Sequence, residues 1–166
     1  MKLYPNLEKF FRVNVKKVKE LIKPLGLAYR AEGLKKVSDK IRHEFDKKVP
    51  NNLKDLKALF AVGDYGANAV LCFGFNKKRP LLDTNFIRIY KRIFNIVSEK
   101  KRPKSDKMLW AFSEYLLPEK RYVEFNYGVL DFGGNICTSK KPKCENCLIN
   151  EICFYYRNLN SEKIQD

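Results

Sequence analysis

Apolar residues recur along this chain at helical spacing, and strand-like alternation is scarce. Val15, Val18, Leu21, Ile22 and Leu25 keep a 3.6-residue period up to Gly26, a natural helix stop. Leu34, Val37, Ile41 and Phe45 make a second stripe. Leu53, Leu56, Leu59 and Phe60 make a third, entered through Pro50-Asn51-Asn52, which reads as a cap. A fourth helix is expected from Asp64 to Phe75. Val70, Leu71 and Phe73 to Phe75 leave it apolar on most sides, as in a central helix. Phe86, Ile89, Tyr90, Ile93, Phe94 and Val97 give a fifth stripe, with Arg88, Lys91 and Arg92 on the opposite face. A basic loop, Glu99 to Ser105, leads to a sixth helix with Leu109, Phe112 and Leu116 inward and Ser105 as its cap. A seventh spans roughly Arg121 to Phe132, and from Gly133 the pattern turns to Gly, Cys, Pro and Lys. The expected fold class is all-α, divided into residues 1–98, a C-terminal part 99–157 and a tail 158–166.

Charge narrows the choice of partner. Among 166 residues, Lys and Arg number 34 against 19 Asp and Glu, a formal net charge of +15. A surplus of that size favours a polyanion, nucleic acid first, over a Lys-rich surface that is merely solvated. No run of ~18 apolar residues occurs, so no membrane span is expected. Met1-Lys2-Leu3-Tyr4-Pro5 lacks the apolar core of a leader peptide. The expected location is the cytoplasm, with the nucleoid. Thiols stay reduced there, so the five cysteines read as metal ligands or core residues.

Four of the cysteines, Cys137, Cys144, Cys147 and Cys153, fall within 17 residues as C-x6-C-x2-C-x5-C. Four thiolates so spaced can hold tetrahedral zinc or a [4Fe-4S] cluster. One C-x2-C knuckle with unequal arms suits iron–sulfur better than zinc. Cys72, inside Val70-Leu71-Cys72-Phe73, reads as a small core residue. The arm between the first two ligands carries Lys140, Lys141 and Lys143. Phosphate contact would use them, and solubility alone would also account for them.

Two further stretches carry candidate chemistry. Between the third and fourth helices lies Ala61-Val62-Gly63, a tight turn. Gly63 there reads as the residue at positive φ, or as one that lets a ligand approach the backbone. Free N–H groups at the next helix start would suit a phosphate, although many helical hairpins hold a glycine for packing alone. Leu82-Asp83-Thr84-Asn85 places an acid at the mouth of the fifth stripe. Asp83 reads as an N-cap, as a carboxylate that steadies a developing cation, or as both.

Together these residues resemble the helix-hairpin-helix DNA glycosylases of the endonuclease III superfamily, over about residues 15 to 157. Leu59 to Ala69 is similar to the family's hairpin, Leu82-Asp83-Thr84-Asn85 to its catalytic segment, and Cys137 to Cys153 to its cluster loop at every interval. Leu25 to Ala31 resembles a turn that the family carries before the hairpin. The resemblance implies a [4Fe-4S] cluster on the four cysteines and double-stranded DNA as partner. It implies contacts to that DNA from Val62, Gly63, Tyr65, Gly66, Lys140, Lys141 and Lys143. It implies Asp83 and Tyr65 as catalytic residues acting on a flipped base.

Tyr65 stands where bifunctional members carry a Schiff-base lysine, so hydrolysis without lyase chemistry is expected. Tyr65, Asp83-Thr84-Asn85 and Leu130-Asp131-Phe132 look most like the archaeal enzymes that remove T or U opposite G. The alternatives are an adenine glycosylase acting opposite 8-oxoguanine, or a catalytically impaired DNA-binding protein of the same fold. Three departures stand out. Ala61 replaces the hairpin's first glycine and is tolerated there only at negative φ, Asp64 puts a carboxylate beside the phosphate grip, and two N-terminal helices of the family have no counterpart. A homodimer or a partner chain is expected to cover the wall left open. The residue that probes the mismatch is sought among Asn126, Tyr127 and Gly128.

Overall fold

The computed structural model describes residues 6–163, with side chains to residue 159. It is helical, and no strand occurs among the described residues. Two compact units divide at Ala67 and Asn68. The boundary expected after residue 98 therefore lies inside the second unit. Met1 to Pro5, where a leader was sought, and residues 164–166 of the tail lie outside the described residues.

The first unit opens with α1 (Leu7–Phe11), α2 (Val15–Ile22) and α3 (Ala31–Glu44). Asn6 and Asn14 cap α1 and α2, each accepting a backbone N–H three residues on. A 3-10 turn extends α2 to Leu25, and Gly26 closes it at φ 70°, as the sequence led one to expect. Val13, Val18 and Ala31 are buried here, with Phe10, Val15 and Ile22 against them. Then comes α4 (Leu53–Lys57), whose cap Asn52 accepts from the Asp55 N–H at 2.9 Å. It stops three residues earlier than its apolar stripe suggests. Leu59 and Phe60 belong to the turn, where the Phe60 ring rests on α3: a Cβ on Gly33 would lie 3.1 Å from it. The Lys36 ammonium sits 4.7 Å from the centre of the same ring.

The second unit begins inside α5 (Asp64–Ala69), which passes into a π-helical stretch, Val70–Gly74. It continues with α6 (Thr84–Phe94), α7 (Lys107–Leu116), α8 (Tyr122–Asn135) and α9 (Phe154–Lys163). Its core is Leu81, Leu82, Phe86, Ile89, Tyr90, Ile93 and Leu109, joined by Cys137 and Cys153. Cys72 is fully buried, as a core residue should be. The cap of α7 is Asp106, not Ser105. The 3-10 turn Pro103–Ser105 shifts the start by one residue, and Asp106 accepts from the Met108 N–H at 3.0 Å. The Ser98 hydroxyl, donating to the same carboxylate, holds Asp106 below the usual carboxylate range. Helix α8 runs on to Asn135, so the change of composition at Gly133 falls within a helix.

The hairpin turn corrects one expectation. Ala61, not Gly63, takes the left-handed backbone, at φ 57°. Gly63 is absent from the positive-φ residues, and a Cβ there would meet nothing within 4 Å. Closure of the turn by the Val62 N–H on the Leu59 carbonyl, at 3.3 Å, puts the left-handed residue two places before Gly63. An alanine in that region costs roughly 1–2 kcal/mol, and glycine's extra chain entropy returns about 0.4–1 kcal/mol of any relief. Ala61→Gly should therefore stabilise the fold by about 1 kcal/mol, a rise in Tm of roughly 2–4 °C by calorimetry.

Candidate active site and metal centre

Asp83 caps α6 in extended backbone. One carboxylate oxygen accepts from the Asn85 N–H at 2.7 Å and the Phe86 N–H at 3.0 Å. The other accepts from the Asn85 side-chain amide at 3.0 Å. The residue is half-buried, on a shelf made by the fully buried Leu81 and Leu82. Three donors, two of them backbone N–H groups of the first helical turn, fix both carboxylate oxygens in place. The expected N-cap is thus present.

The amide that steadies Asp83 is itself held from the far side. The Asn85 Oδ1 accepts from Arg88 Nη2 at 2.8 Å. The same guanidinium donates to the Gly133 carbonyl at 2.7 Å and, through Nε, to the Cys137 carbonyl at 2.9 Å. One turn on, Arg92 donates to the Thr138 carbonyl at 2.6 Å and the Ser139 carbonyl at 3.0 Å, and lies 3.4 Å from the Cys137 Sγ. The face of α6 that reads as solvent-exposed in the sequence is therefore the clamp on the cysteine loop. Two arginines four residues apart lie on one face of a helix, and that spacing was the available signal. Gly133 permits the approach, because a Cβ there would lie 2.8 Å from the Asn85 Cβ.

The four thiols of Cys137, Cys144, Cys147 and Cys153 are unpaired by disulfides and line one cavity with Ile93, Phe132 and Ile149. Burial pushes the Cys144 thiol up, and the charges of Cys153, Cys137 and Cys147 push it further, while Arg92 opposes them. Crowded thiolates of this kind call for a cationic centre among them. Four thiols lining one cavity fit an iron–sulfur core, which Cys137, Cys144, Cys147 and Cys153 would hold. Lys140, Lys141 and Lys143 are exposed on the arm between Cys137 and Cys144. That arm is closed by the Thr138 hydroxyl donating to the Lys141 carbonyl at 2.6 Å.

In the first unit, Val62 is half-buried, Gly63 exposed and Tyr65 37% exposed, so Tyr65 is not a core aromatic. A Cβ on Gly66 would lie 3.6 Å from Val62 Cγ1, an ordinary contact. Asp64 forms an ion pair with Lys57 at 2.5 Å. The same unit exposes Leu25 and Tyr29 on the turn closed by Gly26, with the Arg30 guanidinium donating to the Tyr29 hydroxyl at 3.1 Å. The probing residue was sought among Asn126, Tyr127 and Gly128 of α8. Asn126 is fully buried, donating to the Arg79 carbonyl at 3.0 Å, and Tyr127 stacks on Phe73 at 4.2 Å between ring centres.

A carboxylate at a helix mouth, tied through that helix to a four-thiol loop, is the arrangement of an iron–sulfur base-excision repair fold. Residues 1–114 match the HhH-GPD superfamily of base excision DNA repair proteins, and residues 137–153 match the iron–sulfur binding domain of endonuclease III. The chain belongs to that superfamily and carries its [4Fe-4S] loop. It is similar to a thymine/uracil-DNA glycosylase of Pyrobaculum aerophilum, 41% identical over 161 residues, covering 95% of this chain and 70% of the relative. A thymine-DNA glycosylase of Aeropyrum pernix is 38% identical over 95% of this chain and 72% of its own. The solved structure of a thermostable thymine-DNA glycosylase superposes with a TM-score of 0.83 at 34% identity, covering 95% of this chain and 72% of that one.

Gly133→Ala should disturb Asn85, because the clash falls on a Cβ that cannot rotate away. The expected loss is roughly 1–3 kcal/mol of stability in denaturant unfolding, typical of overpacking, with helical circular dichroism retained.

Proposed function

We propose that this protein is a monofunctional DNA glycosylase that hydrolyses the N-glycosidic bond of thymine or uracil mispaired with guanine. The observation that carries the reading is Asp83, a half-buried carboxylate with both oxygens held at a helix N-terminus. The similarity to thymine/uracil-DNA glycosylases supplies the substrate class.

The turn at Val62, Gly63, Tyr65 and Gly66 grips one phosphate backbone. The open space at Gly63 supports this, since no part of the chain accounts for a missing side chain there. Lys140, Lys141 and Lys143 contact phosphates from the cysteine arm. Phosphate contacts position the duplex without reading its sequence. A mispaired pyrimidine leaves the stack at reduced cost.

The Asp83 carboxylate stabilises the oxocarbenium-like sugar as the base departs with the bonding electrons, then orients water onto the anomeric carbon and accepts its proton. Tyr65 packs on the nucleotide and offers no amine for an imine, so the strand is left intact at an abasic site. Cys137, Cys144, Cys147 and Cys153 would hold the cluster, which would tie down both ends of the arm that presents the lysines. No helix among the described residues is long and apolar enough to cross a membrane, and the protein's place is with chromosomal DNA. In the second unit an apolar groove lined by Ile93, Phe94, Leu116, Phe125 and Val129 remains open, and a second copy or a partner chain covers it.

Single-turnover excision on duplexes bearing G·T, G·U, A·8-oxoguanine and undamaged pairs, followed by alkaline cleavage, tests the activity. Scission is expected at G·T and G·U, and Asp83→Asn should abolish it with DNA affinity retained. Scission at none of the duplexes would leave a DNA-binding protein only. Replacing Lys140, Lys141 and Lys143 with alanine should flatten the salt dependence of binding by about 0.9 in log–log slope for each phosphate no longer neutralised. Light scattering at micromolar concentration should give a dimer; a monomer would argue against the covered groove.

A further inference from the structure

The segment that delivers the chain to Asp83, residues 76–82, has no regular structure of its own. Three of its carbonyls are held by side chains from the C-terminal helices. The Tyr122 hydroxyl donates to the Asn76 carbonyl at 2.7 Å, and Asn126 Nδ2 to the Arg79 carbonyl at 3.0 Å. The Ser113 hydroxyl donates to the Leu81 carbonyl at 2.7 Å. The last bond lies two residues before Asp83 and is sealed from water: Leu81, Leu82, Ser113 and Tyr90 are all buried.

Ser113 does not act alone. The Tyr90 hydroxyl donates to Ser113 Oγ at 2.9 Å. A serine hydroxyl has a single proton. Accepting from Tyr90 therefore leaves that proton committed to the Leu81 carbonyl. Tyr90 itself lies on α6, seven residues past Asp83. The bonds close a ring: from Leu81 through Asp83 into α6, out through Tyr90 to Ser113 on α7, and back to Leu81. Such a ring fixes the angle at which the chain enters α6, and hence where the Asp83 carboxylate points. The ring's own proton is secure. Burial, opposed by the bond to Ser113 and assisted by the charge of Asp83, pushes the Tyr90 phenol up to about 12.

We infer that Ser113, with Tyr90 acting through it, is a positioning residue for Asp83 in base excision. The inference rests on the reading of Asp83 as the catalytic carboxylate. A purely structural role would only give two buried hydroxyls partners. It would lower stability without singling out the chemical step. A positioning role predicts a rate defect at unchanged substrate affinity, since a misplacement of about 1 Å costs up to 10²-fold in rate.

The test is single-turnover excision on a G·U duplex with the full chain, alongside DNA affinity and thermal unfolding. Ser113→Ala should slow excision at least ~10-fold with Kd for the duplex changed by less than about two-fold. Ser113→Thr, which keeps the hydroxyl, should restore most of the rate. Tyr90→Phe should slow excision less than Ser113→Ala. The double variant should be no slower than Ser113→Ala, because Tyr90 works only through Ser113. A Ser113→Ala rate close to that of the unaltered protein overturns the inference, and so do multiplicative effects in the double variant. Leu109→Ala, which empties a buried site on the same helix without touching the Leu81 carbonyl, is the stability control. Equal slowing by Leu109→Ala at equal fraction folded also overturns it. Asp83→Asn, measured in parallel, separates the two readings. Full activity in Asp83→Asn rejects Asp83 itself. Loss there with full activity in Ser113→Ala rejects the ring alone.

Discussion

The Arg88 guanidinium holds three neutral oxygens within 2.9 Å: the Asn85 amide, the Gly133 carbonyl and the Cys137 carbonyl. Much of the second unit depends on that single planar group. Lysine could not replace it, because one ammonium cannot reach three acceptors in the directions a guanidinium fork provides. Asn85 turns its carbonyl to Arg88 and its amide to Asp83, so the amide's orientation is dictated from outside the candidate site. The cysteine loop and the carboxylate therefore share one scaffold. A change in the loop's backbone at Cys137 reaches Asp83 through two side chains.

Helices were legible because burial imposes a period, and the stripes of α2, α3 and α6 stand close to where the sequence puts them. The four cysteines were legible because chelation demands local spacing. The Asp83 cap was legible because an acid before an apolar helix has few other uses. What periodicity could not reveal is what lies across the fold. Arg88 and Arg92 look like a solvated face until partners 45 to 49 residues away are in place. The hairpin glycine misled for a related reason. Glycine is the default at positive φ, but closure of the turn sets which residue takes that backbone, and here it is Ala61. Ser105 and Asp106 both suit a cap, and a 3-10 turn invisible in composition decided between them.

Candidate functions divide by how local their signals are. The phosphate-gripping turn and the lysine arm use backbone and exposed charge, so short stretches of sequence suggest them. The approach to Asp83 is different. It is a segment without regular structure, pinned by hydroxyls and an amide from helices that follow it by 30 to 50 residues. Nothing in Asn76, Arg79 or Leu81 announces that their carbonyls are held from α7 and α8.

The π-helical stretch Val70–Gly74 carries a consequence for chain length. A π turn holds one residue more than the α turn it replaces. Deleting that residue would let the helix close as α, drawing the chain after it back by about 1.5 Å and rotating it by roughly 100°. Lys77 now donates its N–H to the Leu71 carbonyl, and that bond sets where the approach to Asp83 begins. The stretch thus works as a spacer of fixed phase. Between Ala69 and Asp83 this chain can exchange side chains far more readily than it can gain or lose a residue.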